Sequence, residues 1–87
     1  MDPIIHARVV ERHPELSDDG VKKAWTQYVL GAVRVPGERE LRIGYDDRGR
    51  LLEMVGVLTE EGWLVFHAMT PPSKKTEKEI TRARRQS

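Results

Sequence analysis

The order of hydrophobic periods along the chain predicts an α+β domain: two N-terminal helices, a three-stranded antiparallel sheet, and a C-terminal helix from about residue 73. Three observations carry this. Apolar residues recur at helical spacing up to residue 30, they alternate with polar ones or run continuously between residues 40 and 68, and Pro71-Pro72 then closes the last strand. A chain of 87 residues has room for one core, so residues 1–87 are read as a single domain.

Ile5, Val9 and Val10 share one helical face, and Pro14 ends that short first helix at about His13. Ser17 followed by Asp18 and Asp19 reads as an N-cap with acids in the first turn. Val21, Ala24, Trp25, Tyr28 and Val29 then repeat at i, i+3, i+4, i+7 and i+8, which predicts a second helix over 18–30, stopped by Gly31. After Val35-Pro36-Gly37 the period becomes two: Leu41, Ile43 and Tyr45 alternate with Glu40, Arg42 and Gly44. Residues 51–58 are apolar on both faces, as a covered central strand requires, and 63–68 form the third strand. The intervening turns, Asp46-Asp47-Arg48-Gly49 and Thr59-Glu60-Glu61-Gly62, are short enough to make antiparallel hairpins the default. Ser73 caps a last helix in which Ile80 is the sole large apolar anchor.

Composition narrows the chemistry. The chain has no cysteine, which removes disulfides, thiolate metal sites and cysteine nucleophiles and fits a reducing compartment. The N-terminal residues show no leader pattern and no window approaches a membrane span, so a cytosolic protein without membrane contact is expected. His6, His13 and His67 lack metal-ligand spacing, no glycine-rich phosphate loop is visible, and no cofactor is expected. Ser17, Ser73 and Ser87 read as two caps and a terminus, not as nucleophiles. The net charge of +1 conceals a basic end, where Lys74, Lys75, Lys78, Arg82, Arg84 and Arg85 face only Glu77 and Glu79. Such a run is either a solvated helix face or a contact for an anionic partner.

His67, near the end of the third strand, is the first candidate site residue. It reads as a hydrogen-bonded sheet histidine, a general acid or base, or a partner contact. Arg42 and Glu53, on the neighbouring strands, approach it if all three share a face; a cross-strand ion pair is the plainer account of those two. Lys74 and Lys75 follow the Pro-Pro turn, where cations oppose the helix dipole and a bound anion would offset that repulsion. Trp25 and Trp63 serve either the core or base stacking.

His6-Ala7, Glu11-Arg12-His13, the stretch from Leu16-Ser17-Asp18-Asp19-Gly20-Val21 to Ala24-Trp25, then Arg42-Ile43-Gly44, Arg48-Gly49-Arg50-Leu51-Leu52-Glu53-Met54-Val55 and Trp63-Leu64-Val65-Phe66-His67-Ala68-Met69-Thr70-Pro71 together resemble the BrnT-like toxins of the RelE/ParE superfamily. The resemblance covers most of the chain through order and spacing, with no single specific motif. It implies a RelE-like fold, a ribonuclease acting on mRNA, and a DNA-binding antitoxin with which the chain forms a hetero-oligomer. This sequence has Met69 where that family usually carries an arginine, and Arg12-His13-Pro14 where it carries Lys-His-Gly.

RNA cleavage without a metal needs a base near the 2′-hydroxyl, an acid for the leaving oxygen and cations for the phosphorane charge. The expected assignment is His67 as acid/base, Arg42 among the catalytic cations, Glu53 or His6 as orienting partner, and Arg50, Lys74, Lys75 and Arg82 on RNA phosphates. The rival is a non-catalytic protein-binding module of the same fold, which Met69 favours. A small DNA-binding protein fits less well, since no helix-turn-helix spacing is visible.

Overall fold

The protein, seen in a computed structural model, is described over residues 2–85, so Ser87 lies outside the described residues. Its elements are β1 (Ile4–Ile5), α1 (Ala7–Arg12), α2 (Asp18–Thr26), β2 (Leu30–Val35), β3 (Arg39–Tyr45), β4 (Leu51–Thr59), β5 (Gly62–Met69) and α3 (Lys74–Arg85). The strands form one mixed sheet in the order β1-β5-β4-β3-β2. The expected three-stranded antiparallel sheet is therefore incorrect: the described residues form a five-stranded sheet, and β1 runs parallel to β5.

The three anticipated strands are present as β3, β4 and β5, antiparallel, with β4 between the other two. Both additional strands come from segments whose signals are local and weak. β1 has two residues, Ile4 and Ile5, set against Leu64 and Val65, and the His6 N–H extends the pairing to the Val65 carbonyl at 2.8 Å. β2 arises because α2 ends at Thr26, not at residue 30. The Gln27 N–H closes the last helical turn on the Lys23 carbonyl, and Val29 N–H already donates to Ile43 O of β3 at 2.8 Å. Tyr28, Val29 and Leu30, which fit the helical repeat, are thus an exit segment and the first residue of a strand. Pro36-Gly37 then makes the β2–β3 hairpin turn: Gly37 has φ of 74°, Glu38 N–H donates to Val35 O, and proline before glycine suits that geometry.

The sheet has two covered faces. On one, α1, α2 and the loop between them pack Val9, Leu16, Val21, Ala24 and Trp25 onto Leu52, Met54, Val65 and Ala68. Ser17 Oγ accepts the Gly20 N–H at 3.0 Å and thereby starts α2. Trp25 is 1% exposed, and its ring lies so close to β4 that a Cβ at Gly56 would be 2.6 Å from it. On the other face, α3 sets Ile80 against Ala32, Leu41, Ile43 and Val55. Here the cover is thinner, one helix carrying Thr76 and Ile80 as its buried residues.

Candidate functional site

Strand parity decides which side chains meet. On β4, Leu51, Glu53 and Val55 face α3 while Leu52 and Met54 face α2; on β5, His67 pairs in register with Val55 and so also faces α3. The His67 imidazole and the Glu53 carboxylate meet there, Nε2 to Oε2 at 2.8 Å. The other Glu53 oxygen accepts the Ser73 backbone N–H at 2.7 Å, beside the start of α3. Glu53 is buried, whereas the His67 side chain is 36% exposed. Burial works against the Glu53 charge, but the Ser73 N–H, His67 and the Thr76 and Ser73 hydroxyls outweigh it and hold the carboxyl below its ordinary pKa. An ionised carboxylate only accepts, so His67 Nε2 carries the hydrogen and Nδ1 is the basic nitrogen of the neutral ring.

Around this pair lies a cleft of about 310 Å³ into which four cationic side chains converge from three elements: Arg8 and Arg12 of α1, Arg34 of β2 and Lys75 of α3. Arg8 and Arg12, four apart, lie on one face of a helix whose buried residue is Val9. The Arg8 Nε donates to Phe66 O at 3.1 Å and its guanidinium lies 5.6 Å from the Phe66 ring centre, so this cation is held over β5. Arg34 makes a two-pronged pair with Glu79 of α3, at 2.9 and 3.0 Å, and the hydrogen bond to Glu79 raises its already high pKa. Arg12 and Lys75 pair with no acid among the described residues. Four cations, of which Arg34 is paired with Glu79, against one carboxylate in the lining leave the cleft net positive and suited to an anion, with the hydrogen-bonded His67 and Glu53 at its wall.

Several expected site residues are elsewhere. Arg42 pairs in register with Met54 and so faces α2, on the far side of the sheet from His67. Its guanidinium is enclosed by Trp25 at 4.1 Å, Tyr28 at 4.2 Å and Trp63 at 5.2 Å, and it donates to Trp25 O and to Glu40. The anticipated approach of Arg42 to Glu53 and His67 does not occur, because adjacent residues of a strand point to opposite faces. The two tryptophans pack together with ring centres 5.5 Å apart. Arg50 is bound to Asp46 in the β3–β4 turn and to the Glu15 carbonyl. Burial disfavours the Asp46 charge, yet hydrogen bonds from Arg50 and Arg48 lower its pKa. His6 caps α1, its Nδ1 accepting the Arg8 N–H at 3.1 Å, so it touches the cleft only through the backbone of Arg8. Lys74 and Lys75 separate: Lys75 joins the cleft, and Lys74 faces an open groove along the outer side of α3, while Lys78 and Arg82 lie between and border both that groove and the side of the helix next to β2.

Arg8, Arg12 and Arg34 were not singled out by the sequence reading. The i, i+4 spacing of the first two was a usable signal; Arg34 required β2 to be recognised. Compared with known proteins, the chain matches no family model, no curated protein and no solved structure.

Proposed function

We propose that the cleft binds a phosphodiester of single-stranded RNA and that the chain is an RNA-cleaving toxin component neutralised by an antitoxin protein in the cytoplasm. The carrying observation is the His67–Glu53 pair opening into a cleft with Arg8, Arg12, Arg34 and Lys75. The sequence resemblance to BrnT-like toxins supports the same reading.

The chemistry is proton transfer with charge stabilisation. Neutral His67 takes the 2′-hydroxyl proton as that oxygen attacks phosphorus, and the P–O5′ bond breaks. The products are a 2′,3′-cyclic phosphate and a free 5′-hydroxyl, whose proton comes from the resulting imidazolium or from water. Glu53 fixes the orientation and tautomer of the ring through the Nε2 hydrogen bond, while Arg8, Arg12, Arg34 and Lys75 stabilise the phosphorane charge. The cations come from α1, β2 and α3, so the site does not depend on an arginine at the Met69 position.

A fluorescent RNA incubated with the protein tests this. The expected products carry a 2′,3′-cyclic phosphate, a 2′-deoxy substrate stays intact, and His67→Ala slows cleavage by roughly 10²–10⁴-fold. A folded His67→Ala variant with unchanged cleavage would remove the assignment. One observation favours the rival, a non-catalytic protein-binding module: Val29, Val33, Val35, Tyr28 and Tyr45 are exposed along and beside the β2 edge. That reading predicts no cleavage by the intact chain and protein binding lost on Val33→Lys.

A further inference from the structure

The basic surface does not end at the cleft. Lys75, Lys78 and Arg82, spaced i, i+3 and i+7, are exposed along one side of α3. With Arg34 and Val33 of β2 they line a groove of about 410 Å³ between the helix and the edge strand. Lys75 and Arg34 belong to this groove and to the His67 cleft alike, so the two are continuous. One acid, Glu79, also lines the groove, and both its oxygens are taken by Arg34. Neither Lys78 nor Arg82 pairs with an acid among the described residues.

We infer that this groove is a phosphate track that carries the strand leading away from the cleft, so that the substrate extends along α3 beyond the reacting phosphate. The inference rests on the RNA reading of the cleft and adds to it a direction and a length. The seven helical steps from Lys75 to Arg82 rise about 10 Å. At ~3.4 Å per nucleotide of a stacked strand, this is room for about three nucleotides. A protein partner fits the groove less well, because its lining has Val33 as the sole large apolar residue, whereas protein interfaces need an apolar centre. Phosphate contacts need only the row of cations.

The test uses two 5′-fluorescein-labelled 2′-O-methyl oligoribonucleotides, which cannot be cleaved: a trimer, which fills the cleft, and a dodecamer, which also fills the track. Their affinities are measured by anisotropy between 50 and 200 mM salt for the wild-type chain, the double variant Lys78→Gln/Arg82→Gln, and a control Lys22→Gln/Lys23→Gln on α2. For the dodecamer, the double variant is expected to flatten the log–log salt dependence by about 1.4, at ~0.7 per phosphate, a sevenfold smaller loss of affinity over that range. Trimer binding by the double variant and both measurements on the control should match wild type. A wild-type chain that binds both oligonucleotides, with the dodecamer slope unchanged in the double variant, overturns the track and leaves the cleft reading standing. Equal loss for trimer and dodecamer also overturns it, since the cations would then act on the cleft. If neither oligonucleotide binds the wild-type chain, the RNA reading fails and the track with it. Glutamine is a good helix former and both positions are exposed, so the double variant keeps its fold.

Discussion

The two faces of the sheet treat an arginine in opposite ways. On the α2 face, Arg42 is enclosed by three aromatic rings and its side chain is 13% exposed, so the charge contributes to packing and is withheld from ligands. On the α3 face, Arg8, Arg12 and Arg34 border an open cleft beside His67 and Glu53. Two helices with a large buried aromatic cover the first face; one helix held by Ile80 leaves part of the second uncovered. A binding site survives where burial is incomplete, because a cation that is fully satisfied by the protein has nothing left for a ligand.

The largest effects should expose this difference in cover. Trp25→Ala is expected to destabilise the domain by about 3–5 kcal/mol, and Ile80→Ala by about 2–3 kcal/mol, at the low end because the neighbouring cleft lets water and side chains relax into the space. Denaturant unfolding measures both, and an Ile80→Ala loss larger than that of Trp25→Ala would break the comparison. Next in size, Arg42→Gln should cost about 1–2 kcal/mol through lost ring contacts and a lost hydrogen bond to Trp25 O, with RNA cleavage unchanged when assayed on folded protein. A loss of activity without a loss of stability would return Arg42 to the site.

The smallest effect sharpens the account of Glu53. Its folded pKa lies below the ordinary 4.5, so the unfolded chain binds the proton more readily. The resulting stabilisation is complete above 4.5 and is lost as pH falls through the lower folded value. Asp46, lowered by Arg50 and Arg48, acts in the same sense. Unfolding followed from pH 7 down to pH 2 should therefore show wild-type stability declining more steeply than that of Glu53→Gln, with the two curves converging at the acid end. Parallel curves would mean that Glu53 is not held ionised by its partners.

Much of the architecture was legible in the chain itself. The period-two pattern of Leu41, Ile43 and Tyr45, the doubly apolar run through Met54 and Val55, and the Ser17 and Ser73 caps marked β3, β4, α2 and α3, because these signals arise from side chains a few residues apart. The pairing of His67 with Glu53 was half legible: both were candidates, but their contact depends on the β4–β5 register. Only the tertiary structure decided that Ile4-Ile5 joins the sheet, that Leu30 opens a strand and does not close a helix, that Arg42 faces away from His67, and that Arg8, Arg12, Arg34 and Lys75 converge. The physical reason is common to all four. Periodicity reports which face of an element is apolar, whereas strand pairing, the exit point of a helix and the meeting of charges from separate elements follow from long-range packing that leaves no local trace.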